Sequence, residues 1–353
     1  MTADAGDVLR YAVELIDGLA PWGVMTTLAL HGPRMSASQR ARLRRIENIE
    51  VIETGLPLDR LAKDAEAVID SAHRIAALAD GADIIHLNTP ALAIADYHAP
   101  VVVAAHSCLE SWWESVKVGP SPSDFLWRTR LMRQGLRRAD AIVCPSRAFA
   151  RDLRAIYGCE PIAVHNGCEA PRLPEAILPA PWAFTAGRLW DEGENVATMD
   201  AAARRSGLPF LAAGPRLGPD GAAVAPAHLR LLGRLSEAEL AAHLAQRPIF
   251  VSAALYQPFG LAVLEAAQAG CALVLSDIAT FRELWDGAAL FVPACDAQAL
   301  AVAVSRIAAD RVSRAELGAA AQRRAAVYTA CEMASRMSAI YADLLARRRG
   351  VAA

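Results

Sequence analysis

Short, continuous apolar runs alternate with longer helical segments along this sequence. In the first half the runs are VMTTLAL at 24–30, IEVIET at 49–54, DIIHLN at 83–88, VVVAAH at 101–106 and AIVCPS at 141–146. Strands that are hydrophobic without polar alternation belong to parallel sheets covered by helices on both faces. The segments between the runs, such as 60–80 and 125–140, have the amphipathic period of helices. The first half is therefore predicted to be a doubly wound α/β domain.

The same alternation restarts after a proline-rich break. Residues 168–182 contain four prolines, which cannot continue a helix or a central strand. A chain of 353 residues also exceeds the size at which a single core stops growing, roughly 250 to 300 residues. The sequence therefore predicts two Rossmann-like parallel-sheet domains facing an interdomain cleft, at 1–170 and 182–332, joined by a linker at 171–181. A helix at about 333–353 is expected to return and complete the first domain.

Composition excludes several classes of function. The formal net charge of −2 leaves no footprint for non-specific nucleic-acid binding, so no nucleic-acid partner is predicted. Seven cysteines without C-x-x-C spacing argue against a disulfide framework or a zinc site and favour the reducing cytoplasm. No apolar run reaches the roughly 20 residues that span a bilayer. The sequence predicts no transmembrane segment and leaves contact with a membrane surface open.

Polar residues follow several of the predicted strands. Ligands of open parallel sheets bind outside the carboxyl ends of the strands, so these residues are candidates for a site. They are Asp4, His86, His106, Arg188, Gln257 and Glu265. The sequence contains no G-x-G-x-x-G, Walker, G-x-S-x-G or H-E-x-x-H motif and no D-x-D pair, which disfavours hydride transfer, NTP hydrolysis and metalloprotease chemistry.

Three segments of the second half carry a family resemblance. GRLWDEGENVATMDAA at 187–202, LLGRLSEAEL at 231–240 and YQPFGLAVLEAAQAG at 256–270, with VHNG at 164–167, resemble retaining glycosyltransferases of family 4, which have the GT-B fold. The resemblance implies transfer of a sugar from a nucleoside diphosphate sugar to an acceptor, with retention and without a metal or cofactor. Such a reaction would serve polysaccharide or glycoconjugate synthesis, and the acceptor would be a sugar, a lipid-linked or a small molecule.

The resemblance also implies roles for single residues. Arg188 matches the phosphate-binding arginine, Glu265 the ribose-binding glutamate, and His106 a histidine near the transferred sugar. Each has a structural alternative: a surface ion pair for Arg188, a helix-dipole contact for Glu265 and a satisfied core position for His106. His106, Arg188 and Gln257 are the expected catalytic residues. The expected donor-binding residues are Gly6, Gly187, Arg188, Glu194, Leu235, Phe259, Gly260, Leu261 and Glu265.

The chain departs from the family pattern at three places. Glu194 stands where the family has a lysine, which places an acid beside the expected diphosphate. Gln257 replaces the first glutamate of the family's pair and keeps the shape while losing the charge. At the start the first strand is nearly missing, and Gly6 and Asp7 replace a glycine pair, with Asp7 interpreted as the N-cap of the helix that follows. Arg216 and Arg234 are candidates to assist Arg188.

The acceptor is expected on the first domain, within an irregular segment at 106–125. Trp112 and Trp113 lie there, and aromatic planes stack on sugar rings. Adjacent helical residues point about 100 degrees apart, so only one of the two is expected to contact a ligand. Two hypotheses compete with an active transferase. One is a degenerate relative that binds a glycan or a partner enzyme, and the other is a nucleotide-sugar epimerase.

Overall fold

The computed structural model describes residues 1–4, 7–174, 181–219 and 221–351. It divides the chain into two compact units. The N-terminal unit consists of Met1–Trp113, Val118–Gly167 and Thr329–Ala353, and the C-terminal unit of Glu114–Lys117 and Cys168–Tyr328.

The N-terminal unit alternates strands and helices as the apolar runs predict. Its strands are β1 (Thr2–Asp4), β2 (Thr26–His31), β3 (Ile49–Glu53), β4 (Ile85–Leu87), β5 (Val101–Ala104), β6 (Ala141–Cys144) and β7 (Ile162–Ala163). Its first helices are α1 (Asp7–Leu19), α2 (Ala37–Leu43), α3 (Ala65–Leu78), α4 (Leu109–Val116, which begins in this unit), α5 (Phe125–Arg138) and α6 (Arg147–Tyr157).

The strands of this unit run parallel in the order β3, β2, β1 and then β4, β5, β6, β7. The backbone ladder is interrupted between β1 and β4, which belong to separate sheets. The order in which strands are added reverses at this junction. The connection from β1 leads to β2 on one side, and the connection from β4 leads to β5 on the other side. The junction is therefore the topological switch point of the unit.

The C-terminal unit contains a single continuous sheet. Its strands are β8 (Ala183–Ala186), β9 (Phe210–Ala213), β10 (Arg230–Gly233), β11 (Ile249–Ser252), β12 (Ala272–Ser276) and β13 (Leu290–Val292). All are parallel, in the order β10, β9, β8, β11, β12, β13. The helices are α7 (Val196–Ser206), α8 (Glu237–Ala245), α9 (Leu261–Gln268), α10 (Ala279–Trp285), α11 (Ala297–Ala309) and α12 (Arg311–Ala325).

The last helix, α13 (Ala330–Val351), belongs to the N-terminal unit. It buries a stripe at helical spacing, and this stripe packs with the apolar face of α1. The buried residues of the stripe are Met333, Met337, Tyr341 and Leu344. Gly18 of α1 allows the close approach, because a Cβ there would lie 2.8 Å from the Cβ of Ala334. The helix is thus part of the core of this unit.

The architecture confirms the predicted fold class, two α/β units with parallel sheets, and refines its details. The first strand is present as a short strand, and β7 was not expected. Residues 109–116 are helical rather than irregular, and the long helical tail is divided between α12 and α13. Helix α1 begins at Asp7 itself, so this residue is inside the helix and is not its N-cap. Gly6 and residues 175–180 of the predicted linker lie outside the described residues.

Candidate functional site

Several predicted site residues lie at the switch point of the C-terminal sheet. Strand β8 pairs with β9 on one side and with β11 on the other, so the loops that follow β8 and β11 diverge at the carboxyl edge of the sheet. In doubly wound sheets such a crevice is where ligands bind. The loop after β8 carries Gly187, Arg188 and Glu194, and the loop after β11 carries Gln257. The topology therefore places these residues in one region of this unit.

Glycines bring the ends of three neighbouring strands into backbone contact. The N–H of Gly187 donates to the carbonyl of Ala213 at 3.1 Å, and that of Gly214 donates to the carbonyl of Gly233 at 2.7 Å. A Cβ on Gly214 would lie 1.9 Å from the carbonyl oxygen of Gly187, and Gly214 has φ of 136°, which other residues rarely adopt. Gly187 and Gly214 place no Cβ of their own at this part of the sheet edge, which lets the backbones of the strand ends approach closely.

Arg188 pairs with an acid of its own loop. Its Nη2 lies 3.3 Å from Oδ2 of Asp191, and its side chain is 43% exposed. Asp191 also accepts from the N–H of Gly193 at 2.9 Å, which fixes the carboxylate in a tight turn. The guanidinium end of the pair is exposed, whereas the Asp191 side chain is only 14% exposed. Asp191 keeps the N–H of Gly193 as a partner when an anionic ligand recruits the guanidinium.

Glu194 lies against the end of β8. A Cβ built on Gly187 would be 3.1 Å from Oε1 of Glu194, which shows that the carboxylate covers the glycine. The side chain is half-buried and does not extend away into solvent. The acid that replaces the family's lysine therefore stands next to the residue that precedes Arg188.

Hydrogen bonds from backbone and side-chain groups join the loop after β8 to the loops after β11 and β13. The carbonyl of Gly193 accepts from the N–H of Leu255 at 2.8 Å. The Nδ2 of Asn195 donates to the carbonyls of Ala253 at 3.0 Å and Ala294 at 2.8 Å. Asn195 has φ of 54°, a left-handed conformation that asparagine tolerates better than most residues.

The sequence reasoning missed Asp191 and Asn195. Both positions carry a local signal, since Asp and Asn favour tight turns and the left-handed region. Their role depends on which strand ends are neighbours in the sheet, and the letters DEGEN alone do not specify that.

Gln257 and Gly260 precede helix α9. Gly260 is the N-cap with φ of 94°, and a Cβ there would lie 3.3 Å from Cγ of Gln257. The helix begins at Leu261, so its first N–H groups point out of the helix without intrahelical partners. Gln257 is half-buried, and its side-chain amide makes no hydrogen bond within the described part of the chain. A helix N-terminus and an available amide thus lie side by side.

Glu265 is the fifth residue of α9 and is 8% exposed. The favourable effect of the helix dipole on acids is concentrated in the first turn, and Glu265 lies beyond that turn. The dipole explanation for this residue is therefore weak. A buried carboxylate at this position needs hydrogen-bond donors.

Phe259 and Leu235 have structural roles in this unit. The ring of Phe259 is 3% exposed and packs edge-to-face on Tyr328 at 5.8 Å between centroids. Leu235 is half-buried against the core, and it precedes Ser236, which caps α8 in a capping box with Glu239. Ring contact between Phe259 and a donor would require the core to open, so the contribution of this residue to a site is limited to its backbone.

His106, at the end of β5, lies in the N-terminal unit. Its Nε2 is 2.7 Å from Oδ1 of Asn88, and its ring meets Tyr11 edge-on at 4.5 Å. Burial lowers the pKa of His106 to about 4, so the ring is neutral near pH 7. The neighbouring His86 is held by the hydroxyl of Tyr341, 2.6 Å from Nδ1, and burial lowers its pKa to about 3.

Trp112 and Trp113 are both half-buried on α4. The Nε1 of Trp113 donates to the carbonyl of Gly119 at 2.9 Å, and its ring packs edge-on against Phe125 at 5.4 Å. The centroids of the two indoles are 6.4 Å apart. Trp113 is thus engaged with the loop and helix that follow it, and Trp112 is the better candidate for an additional contact.

Neither a metal-binding cluster nor a membrane-spanning helix occurs among the described residues. No group of three or more His, Cys, Asp or Glu side chains that could hold a metal ion occurs among them. Among the same residues, no helix is both long enough and apolar enough to cross a bilayer.

The comparison with known proteins gives the family. Residues 8–170 match the profile of Glycosyltransferase Family 4, and residues 222–324 match that of Glycosyl transferases group 1. The chain belongs to the GT-B glycosyltransferases. No curated protein sequence matches it. The Family 4 match covers most of the N-terminal unit, and the group 1 match covers the loop that carries Gln257 and helix α9, which carries Glu265.

Solved structures share the fold at low sequence identity. Sucrose-phosphate synthase from Thermosynechococcus elongatus has a TM-score of 0.77 and 19% identity, over 96% of this chain and 93% of that one. HepE from Anabaena in complex with UDP-glucose has a TM-score of 0.72 and 16% identity, over 97% of this chain and 98% of that one. A glycosyltransferase from Rickettsia africae has a TM-score of 0.68 and 16% identity, over 98% of this chain and 97% of that one. At this identity the likeness establishes the GT-B fold of the enzyme.

Proposed function

We propose that this glycosyltransferase transfers a sugar from a nucleoside diphosphate sugar to a hydroxyl-bearing acceptor with retention of configuration. The observation that carries the proposal is the C-terminal switch point, where Arg188 and the N-terminus of α9 follow neighbouring strands. When the sugar departs, negative charge develops on the diphosphate. A guanidinium and backbone N–H groups stabilise such charge without help from a metal ion.

The proposed roles follow from the position of each group. Arg188 leaves Asp191 to bind the diphosphate, and the N–H groups at the start of α9 approach the same anion. Glu265 accepts hydrogen bonds from the ribose diol, and Gln257 binds a hydroxyl of the transferred sugar. The exposed Arg216 and Arg234 follow the next two strands and add positive potential.

The proposal extends to the donor, the acceptor and the compartment. HepE binds UDP and UDP-glucose, which makes uridine nucleotides the first donors to test. The acceptor would be a sugar, a lipid-linked or a small molecule, with Trp112 as a stacking surface. The seven cysteines form no disulfide within the described chain, which supports a cytoplasmic enzyme.

The direct test is release of nucleoside diphosphate from a panel of UDP-, GDP- and ADP-sugars in the presence of sugar and lipid-linked acceptors. Turnover that falls with Arg188→Ala supports the proposal. A folded protein that releases no nucleotide from any donor contradicts it. Anomeric configuration of the product, read by NMR, tests retention separately.

One observation favours a second function, a degenerate relative that binds a glycan or a partner. Glu194 covers Gly187, where a diphosphate would meet a like charge. At about 5 Å and an effective dielectric of 20, a single repulsion of this kind is on the order of 3 kcal/mol. This function predicts no thermal stabilisation by UDP, GDP or ADP, whereas binding at 100 times the dissociation constant adds about 2.7 kcal/mol.

The double variant Glu194→Lys with Gln257→Glu separates the two functions. If the parent is inactive and the variant gains donor turnover, the site of the parent has decayed. If the parent already turns over a donor, the second function is wrong. Arg204→Ala, an exposed arginine on α7, is the control for general changes of surface charge.

A further inference from the structure

Asn88 joins the two sheets of the N-terminal unit at their switch point. It follows Leu87, the last residue of β4, and β1 is the neighbouring strand. The backbone N–H of Asn88 donates to Oγ1 of Thr2 at 3.0 Å, and its side-chain Nδ2 donates to the carbonyl of Thr2 at 2.5 Å. Both residues are buried. The amide thus replaces the backbone ladder that is interrupted here.

The Thr2 carbonyl determines the orientation of the Asn88 amide. A backbone carbonyl only accepts hydrogen bonds, whereas an asparagine amide has one donating and one accepting end. If the amide were reversed, Oδ1 of Asn88 would face another oxygen at the 2.5 Å now spanned by the Nδ2 bond. Two acceptors at that distance repel each other in a buried site. Nδ2 therefore faces Thr2, and Oδ1 faces the other way.

The orientation of Asn88 in turn determines the tautomer of His106. Oδ1 of Asn88 lies 2.7 Å from Nε2 of His106 and can only accept. Nε2 must therefore carry a proton. Because burial lowers the pKa of His106 to about 4, the ring holds one proton near pH 7, and Nδ1 is left with its lone pair.

Nδ1 is the part of the ring that a ligand can use. The ring makes no other hydrogen bond within the residues that the structure describes. His106 is half-buried, so part of its side chain is accessible at the surface of this unit. Tyr11 meets the ring edge-on at 4.5 Å and restrains its plane.

We infer that Asn88 is a positioning residue that holds His106 as the Nε2–H tautomer, so that Nδ1 accepts a hydrogen bond from a neutral hydroxyl of the substrate. A hydroxyl can donate to Nδ1, whereas a carboxylate or phosphate would meet a lone pair. The site thereby selects an uncharged, hydroxyl-bearing group. The identification of that group with a sugar rests on the proposed function, while the tautomer does not.

The tautomer is measured by NMR on protein labelled with ¹⁵N-histidine. Two-bond proton–nitrogen correlations distinguish the Nε2–H form, the Nδ1–H form and the imidazolium. The signal of His106 is assigned by its loss in His106→Gln. At pH 7.5 the unmodified protein should show His106 as the Nε2–H form. His106 as the Nδ1–H form or as an imidazolium would overturn the inference.

Asn88→Ala tests whether this residue sets the tautomer. Without the Oδ1 acceptor, the signal of His106 should move to the average of the two neutral forms. The matched control is Asn48→Ala, because Asn48 is also buried in this unit and donates to the carbonyls of Ile16 at 3.0 Å and Val24 at 2.8 Å. The control should leave the signal of His106 unchanged. An unchanged signal in Asn88→Ala overturns the role of Asn88.

Activity provides the second readout. In Asn88→Ala about half of the His106 rings should carry the proton on Nδ1 and be unable to accept from the hydroxyl, so the transfer rate should fall about twofold. Loss of the hydrogen bond in every molecule would lower the rate by about a factor of ten. A wild-type rate in a variant with mixed tautomers contradicts the contact with substrate. The spectrum of the unmodified protein needs no substrate and decides the tautomer even if no donor is turned over or Asn88→Ala does not fold. Failure of the proposed function is thus distinguishable from failure of this inference.

Discussion

The two units have the same winding of strands and different chemistry at their switch points. In the C-terminal unit β8 and β11 pair by backbone hydrogen bonds, and the loops that follow carry Arg188, Asp191 and Glu194. In the N-terminal unit the ladder between β1 and β4 is interrupted, and the side chain of Asn88 links the strands. The first edge carries charged side chains, whereas the second combines the neutral side chains of Asn88 and His106 with Asp4, the last residue of β1.

The difference matches the ligands proposed for the two edges. Charged side chains at a partly exposed edge can exchange internal pairs for an anionic ligand at small cost. Buried histidines with lowered pKa values offer neutral hydrogen-bond partners and disfavour added charge. The first edge suits a nucleotide phosphate, and the second suits hydroxyl groups. The topology supplies the crevice in both units, and the residues after the strands decide its ligand.

Gly214→Ala should have the largest effect, because it disrupts the close backbone packing at the carboxyl edge of the C-terminal sheet. The new Cβ would lie 1.9 Å from the carbonyl oxygen of Gly187, at a φ of 136°. Backbone must move to relieve this overlap, so we expect a loss of about 4 kcal/mol or more in the free energy of unfolding. Urea unfolding followed by circular dichroism measures it.

Gly233→Ala is the matched control for that prediction. Gly233 also has positive φ, 72°, but a Cβ there meets nothing within 4 Å. The expected loss is only the conformational cost of about 1 to 2 kcal/mol. Equal losses at both glycines would contradict the close packing of the strand ends.

Arg188→Ala tests the charged edge directly. If the guanidinium stabilises the departing diphosphate, kcat should fall by about a hundredfold or more, the effect of removing one such group. Because the guanidinium is exposed and Asp191 keeps its hydrogen bond from the N–H of Gly193, stability should change by about 1 kcal/mol. Nucleoside diphosphate release gives the rate. A fall no larger than that of Arg204→Ala would assign the phosphate to other groups.

Asn195 tests how the charged edge is held in place. Asn195→Ala removes two hydrogen bonds to the carbonyls of Ala253 and Ala294 and places a Cβ residue at φ of 54°. We expect a loss of about 2.5 kcal/mol from the bonds and the conformation together. Asn195→Gly keeps the conformation and should lose about 1 kcal/mol less. Equal losses in both variants would show that the backbone conformation contributes nothing.

The sequence could predict features that depend on local pattern. The strands and most helices follow apolar runs and their spacing, and Gly187 and Arg188 follow a strand end that can be identified from the runs alone. The family resemblance added the departures at Glu194 and Gln257. It could not tell which way Glu194 turns, because that depends on the space above Gly187.

The features that could not be predicted depend on partners distant in sequence. Asn88 acquires its role from Thr2 and His106, and neither the position of β1 beside β4 nor the orientation of an amide can be deduced from the sequence alone. The ring of Phe259 looked like a ligand contact, but Tyr328 encloses it from another element. In each case packing chose among roles that the residue type allows.

The neutral edge makes a prediction about pH, which has the smallest expected effect. An unfolded histidine has a pKa of about 6.5, whereas burial lowers that of His86 to about 3. The unfolded state therefore binds more protons between these values, so stability falls as pH falls from about 6.5 to about 3. At pH 5 the contribution of His86 amounts to about 2 kcal/mol relative to pH 7.5.

His86→Gln should lose this dependence, because its side chain does not titrate. The groups around His86 do not compensate. Burial raises the pKa values of Tyr11 and Tyr341, which stay neutral, and it lowers those of His106 and of the Met1 amino group, which shifts them in the same direction as His86. Urea midpoints at pH 7.5 and pH 5 should differ less in this variant than in the parent. The control is His98→Gln, at an exposed position, which should leave the difference between the two midpoints unchanged. If His86→Gln retains the full acid sensitivity, the imidazole is protonated in the folded protein and the edge is charged after all.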